Sequence, residues 1–226
     1  MIVLQGVTKR YDDLLALDDV TLAIGRGEFA FLVGTNGAGK TTLIKLLIRE
    51  ERADRGVILL GGVDVTAVSG AALTRLRRRI GVVFQDTRLL PNATVAENVA
   101  LPLQVRGGDA ASVDAAVRDV LQRVGLADLG ERRPRHLSGG ELRKAAIARA
   151  VVGRPDVLLC DEPTESLSPD KGREIVELLL RFNGDGVTTL VATHDRDIVD
   201  HLRRRVIHMH AGRISSDAPV GVFDAP

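Results

Sequence analysis

The chain holds one cysteine, one tyrosine and no tryptophan in 226 residues, and aromatic side chains make up only 3% of it. A single cysteine, Cys160, forms no internal disulfide, so a disulfide scaffold is excluded and a reducing cytosolic setting fits. Scarce aromatics beside a hydrophobic content of 45% predict a core of valine, leucine, isoleucine and alanine. Charge of one sign is missing too: 31 basic residues stand against 30 acidic ones, a net +1. That balance argues against a nucleic-acid footprint, which needs clustered excess base. No window approaches the ~18 apolar residues of a membrane span. The first residues, MIVLQGVTKRYDD, reach charge too early for a signal peptide. Work at a membrane therefore requires an anchor from another chain. No repeat or low-complexity tract appears, and the length suits one α/β domain with room for an inserted subdomain.

What is present begins with residues 34–42, GTNGAGKTT, after the apolar run 29–33 and before the helical spacing of 43–48. Strand, glycine-rich turn and helix are the context that G-x-x-x-x-G-K-[ST] requires. Gly34, Gly37 and Gly39 let the loop, with Thr35, Asn36, Ala38 and Thr42, turn its N–H groups toward one concave point. Those donors and the positive end of the following helix make a phosphate-sized anion site. Lys40 adds a point charge for the β- and γ-phosphates, and the Thr41 hydroxyl is a ligand for Mg²⁺. Such a loop binds a nucleoside triphosphate.

Around it, residues 2–4 and 20–24 read as short strands, with Tyr11 in a polar loop as a surface aromatic or an adenine platform. Residues 70–79 read as a basic helix with a solvated face. Residues 80–84 read as a buried strand with Gln85 at its carboxyl end, where open α/β sheets place their ligands. Gln85 is either loop polarity or a contact to the metal or the attacking water. In 86–105, Leu89, Leu90, Val95, Val99 and Leu101 fold back on the core or form a docking patch, and docking is expected for part of the stretch. Val113, Val117, Val120, Leu121 and Val124 are spaced as a helical core face. Ser138 and Glu141 match a capping box. Gly139 and Gly140 add exposed N–H groups at a positive helix end, a second anion site. Residues 157–162, VLLCDE, are a strand ending in two carboxylates. Asp161 beside a phosphate loop suggests metal coordination, and Glu162 is placed to polarise an attacking water. His194 follows the strand 187–192 as a loop residue or a γ-phosphate contact, and the tail 217–226 is expected to be loosely held.

Tyr11, GTNGAGKTT, Gln85, LSGGE, VLLCDE and His194, in this order and spacing, resemble the ATP-binding subunits of ABC transporters over nearly the whole chain. The resemblance implies an α/β fold: a RecA-like core, an N-terminal antiparallel β-subdomain and an α-helical subdomain inserted at roughly 88–153, all one domain over 1–226. It favours the functional roles of Tyr11, Gln85 and His194. It also implies that two copies close head to tail around two ATP molecules with Mg²⁺, each between the phosphate loop of one copy and Ser138, Gly139, Gly140 and Glu141 of the other. Within the family, GEFAFLVG, FQDTRLLPNATVAENVALPL, LSGGE in place of LSGGQ, and VATHD are similar to the bacterial cell-division group FtsE. That likeness implies an FtsX-like membrane partner, control of peptidoglycan hydrolysis at the septum, and a place on the cytoplasmic face of the inner membrane.

Two departures stand out. Residues 164–170 read TESLSPD, with Ser168 where relatives carry an Asp, and Leu142-Arg143-Lys144 stand where Gln-Gln-Arg is common. Slow, partner-dependent hydrolysis with intact ATP binding is the expectation. The alternatives are the motor of a lipoprotein-release or macrolide-export transporter, and an ATP-dependent dimerising scaffold. A DNA-repair ATPase would need a long coiled coil between the motifs, and none is present.

Overall fold

The computed structural model describes residues 1–223 and contains two sheets. In the first, β1 (Ile2–Tyr11) and β2 (Leu14–Ile24) form a hairpin, joined by β4 (Arg55–Leu60) and β5 (Val63–Asp64) in the order β2-β1-β4-β5. Every pairing in it is antiparallel. The second sheet runs β10 (Arg213–Ala218), β9 (Arg205–His210), β3 (Phe29–Val33), β8 (Thr188–Thr193), β7 (Val157–Asp161) and β6 (Ile80–Val83). All its pairings are parallel except β10 against β9.

The parallel strands explain the uninterrupted apolar runs. Successive side chains point to opposite faces, so a strand covered on both sides has no polar alternation. Phe29, Phe31 and Val33 enter one core with Leu158, Cys160 and Val191. Ala30 and Leu32 enter the other with Val157, Leu159, Leu190 and Ala192. The first core is roofed by α3 (Val95–Gln104), α4 (Ala110–Arg123), α5 (Gly139–Val151) and α6 (Pro169–Gly184). The second is closed by α1 (Lys40–Leu47) and the antiparallel sheet. Helices α2 (Gly70–Arg77) and α7 (Arg196–Leu202) complete the set. Strands β6 and β7 are neighbours, although α3, α4 and α5 lie between them in sequence. The α/β architecture matches the expectation.

Two details differ from the sequence reading, at Tyr11 and in the tail, and a third divides a stretch left open between core and surface. Tyr11 ends β1, paired with Leu14, rather than lying in a loop. The ladder through Lys9, Arg10 and Tyr11 satisfies backbone groups, and that outweighs the polar composition. The stretch after Gln85 divides: Val95 and Val99 are fully buried, while Leu90 is 48% exposed. A capping box of Thr94 and Glu97 starts α3, and buried Asn98 ties Leu90 back by accepting from its N–H and donating to its carbonyl. The tail is held as far as Phe223, whose N–H donates to Asp200 Oδ1 at 2.6 Å and whose carbonyl accepts from His208 Nε2 at 2.7 Å. The last three residues of the expected loose tail lie outside the described residues.

Candidate functional site

Strands β3, β8, β7 and β6 are adjacent and parallel, so their carboxyl ends open on one place. There they deliver the phosphate loop, His194, Asp161 with Glu162, and Gln85. A cavity of about 370 Å³ is lined by Tyr11, Asn36, Gly37, Ala38, Gly39, Lys40, Thr41, Thr42, Gln85, Glu162 and His194. An adjoining cavity of about 450 Å³ shares Thr41 and Gln85 and adds Asp161. Gly34 and Thr35 face a third cavity, about 400 Å³, that shares Asn36 and His194 with the first.

The loop needs its glycines. Gly37 and Gly39 have φ of 82° and 107°, in the region that favours glycine. A Cβ on Gly39 would lie 2.7 Å from the carbonyl oxygen of Ala16. Lys40, 6% exposed, donates from Nζ to the carbonyls of Gly34 at 2.7 Å and Thr35 at 3.3 Å. Its ammonium is also 3.5 Å from Glu162 Oε1. Glu162, 7% exposed, takes a left-handed φ of 47°. Such a conformation costs about 1–3 kcal/mol and persists only where surroundings impose it. Here the Glu162 N–H donates to Ala192 O at 2.8 Å, and Oε2 accepts the His194 N–H at 3.1 Å. The same oxygen is 2.9 Å from His194 Nδ1, which places the proton on Nδ1 and turns Nε2 outward. The carboxylate is thereby pinned on one oxygen, with the other facing the phosphate loop.

Asp161 is buried, and its Oδ1 is the sole buried side-chain polar atom among the described residues with no hydrogen-bond partner. Burial pushes its carboxyl above the ordinary aspartate value; the Thr41 hydroxyl bond opposes this, the Glu162 charge adds to it, and Lys40 and Lys45 oppose it. An orphaned carboxylate oxygen beside a hydroxyl and an amide suits a hard cation that takes its other ligands from phosphate and water. No cluster of three or more His, Cys, Asp or Glu able to hold a metal occurs among the described residues. A raised folded value means that the folded state binds the proton more tightly than the unfolded chain. Without nucleotide, the contribution of this carboxyl to stability is therefore full below the unfolded aspartate value and is lost as pH rises through Asp161's raised one. Asp161→Asn should flatten that slope, as read by thermal melts from pH 4 to pH 8.

Ser138, Gly139, Gly140 and Glu141 line neither of the first two cavities. Ser138 caps α5, donating from its N–H and its hydroxyl to Glu141 Oε2, each at 2.7 Å. The glycine-rich starts of α1 and α5 therefore do not share either cavity. Sequence reasoning missed Glu165, which lines both nucleotide-side cavities. Its N–H donates to the carbonyl of Glu162 at 3.2 Å. The signal was the three-residue spacing from Glu162, which a tight turn folds back to the site.

The fold and site define a P-loop nucleoside-triphosphatase: a parallel sheet whose strand β3 feeds a glycine-rich loop, with an acidic pair at the carboxyl end of β7, the next strand but one. The ABC transporter family model matches residues 17–165. The chain is 45% identical over 225 residues to the cell division ATP-binding protein FtsE of Mycobacterium tuberculosis (strain ATCC 25618 / H37Rv), covering 99% of this chain and 98% of that one. It is 40% identical to FtsE of Bacillus subtilis (strain 168) with the same coverage. With the methionine import ATP-binding protein MetN of Xanthomonas euvesicatoria pv. vesicatoria (strain 85-10) it shares 41% identity over 97% of this chain and 67% of that protein. The dimeric structure of MJ0796, a bacterial ABC transporter cassette, superposes with a TM-score of 0.89 at 31% identity and full coverage of both chains. A post-hydrolysis dimer of the same cassette, bound to ADP and phosphate, gives 0.88. This chain belongs to the ABC transporter family, as one of its ATPases.

Proposed function

We propose that this chain is the ATP-binding subunit of an FtsEX-like complex, in which two copies close around two ATP molecules and move a membrane partner during bacterial cell division. The observation that carries the reading is the incomplete site in one copy, taken with full-length identity of 40–45% to FtsE proteins. In it, Tyr11 stacks on adenine, and the backbone of 34–39 with Lys40 and Thr42 holds the phosphates. Thr41, Asp161 and Gln85 would hold Mg²⁺, which would neutralise charge on the transferred phosphoryl group. Glu162 takes the proton of the attacking water and His194 orients it. Ser138, Gly139, Gly140 and Glu141 of the second copy cover the same nucleotide. The intact Glu162–His194 pair speaks against a mere scaffold.

A groove of about 550 Å³ supports a partner contact. Ile80, Val82, Phe84, Leu101, Pro102 and Val105 floor it, and Val105 is 73% exposed. Arg77, Arg78 and Arg106 rim it, bonded to backbone carbonyls and paired with no carboxylate among the described residues. Residues of roughly 88–153, as the helical subdomain, supply much of this wall. The groove suits an apolar segment with acidic flanks. No helix among the described residues is long and apolar enough to cross a membrane, so the partner supplies the span and holds this chain at the cytoplasmic face.

The test is purification from the native host in detergent. An FtsX-like membrane protein with four spans should co-purify, and Val105→Glu should cut its yield at least fivefold with nucleotide binding measured in parallel. Recovery of a larger permease instead would favour a lipoprotein-release or macrolide-export motor.

A further inference from the structure

We infer that Arg143 and Arg149, both on α5, are positioning residues that hold Gln85 in the nucleotide cavity by clamping the strained turn that carries it. This rests on the ATPase reading above and adds the means by which α5 governs one of its groups. Arg143 is 6% exposed, and its Nη1 donates to the carbonyl of Phe84 at 2.8 Å, the carbonyl bonded to the Gln85 nitrogen. Arg149 donates from Nη2 to Thr87 O at 2.6 Å and from Nη1 to Arg88 O at 2.5 Å. One helix therefore holds the chain on both sides of Gln85.

The turn would not keep this shape alone. Thr87 and Arg88 have φ of 50° and 48°, consecutive left-handed residues without a glycine, and the first is β-branched. Such a turn survives only where contacts over-determine it. Besides the two arginines, Arg88 stacks 3.7 Å from the Phe84 ring and reaches Glu50. Burying a guanidinium is costly, and the carboxylates of Glu165 and Asp86 supply the negative field that sustains the charge of Arg143. A guanidinium donating to that carbonyl makes the clamp charge-assisted. The same rigid helix opens at Ser138, Gly139 and Gly140. Whatever anchors that end of α5 is mechanically joined to the backbone of Gln85.

If Arg143 acts through Gln85, the two cannot be additive. The experiment is a double-mutant cycle on the full-length chain, with Arg143→Met, Arg143→Lys and Gln85→Ala. We expect Arg143→Met to lower kcat for Mg-ATP at least tenfold and to raise half-saturating Mg²⁺ severalfold. Affinity for ATP without metal should change less than threefold, because Arg143 lines neither nucleotide-side cavity. Arg143→Lys should keep kcat within twofold to fivefold of the parent, and in the Gln85→Ala background Arg143→Met should cost less than twofold. If Arg143→Met fails to fold, the cycle runs on Arg143→Lys, whose twofold to fivefold loss should vanish with Gln85→Ala. Equal losses in both backgrounds overturn the clamp. A parent chain that turns over no ATP even with its co-purified membrane partner overturns the ATPase reading itself, and the clamp with it.

Discussion

Replacing Glu162 with Gln should lower ATP turnover by about 10²–10⁴-fold, the range for loss of a general base, and should leave an ATP-bound dimer that size-exclusion chromatography with light scattering resolves from monomer. The argument starts from geometry. Oε2 is occupied by the backbone N–H and Nδ1 of His194, so Oε1 alone is aimed at the phosphate loop. An amide of the same size can still accept from His194 but takes no proton from water. It also removes a negative charge beside the expected γ-phosphate, so binding should hold or improve while chemistry stops. In the nucleotide-free chain the same substitution brings an amide toward the Lys40 ammonium and should lower the melting temperature slightly. Unchanged turnover, or a monomer at saturating Mg-ATP, would remove Glu162 from its role.

Lys40→Ala should abolish nucleotide binding at any practical concentration. Hydrogen bonds to charged groups contribute about 1.5–3 kcal/mol each, so two phosphate contacts amount to about 3–6 kcal/mol, or two to four orders of magnitude in affinity. The substitution also takes the Lys40 ammonium away from Glu162, which is 7% exposed and whose carboxylate keeps only its contacts to His194 among those described. Breaking a buried pair by removing one partner costs about 3–5 kcal/mol. Protonation of Glu162 offsets part of that, so the melt should shift by several degrees and remain cooperative. Calorimetric titration with ATP and a thermal melt separate the two effects. Lys40→Met, which restores volume but not charge, should recover some stability and no binding.

Much of this site was legible because its signals are local. The phosphate loop announces itself by glycines at positions that need special backbone angles, and Ser138 with Glu141 by a three-residue capping interval. Both depend on neighbours in sequence, which no tertiary contact has to supply. Tyr11 was misplaced because strand pairing with Leu14, a partner across a turn, overrode composition. Glu165 was missed because its approach to the cavity depends on the left-handed turn at Glu162. Arg143 stood out only as a departure from the pattern that the chain resembles, since nothing in the string shows that its guanidinium lies inside the molecule against the carbonyl of Phe84.

By itself the sequence determined the aliphatic α/β core, the triphosphate loop and the order of the motifs, because apolar period, glycine placement and capping act over a few residues. Only the tertiary structure decided that β3, β8, β7 and β6 lie side by side, and so that Lys40, Gln85, Asp161, Glu162 and His194 face two adjoining cavities. It likewise set Ser138 and its glycines apart from those cavities. Strand order is settled by which apolar faces bury one another across more than a hundred residues, and no local pattern encodes that choice.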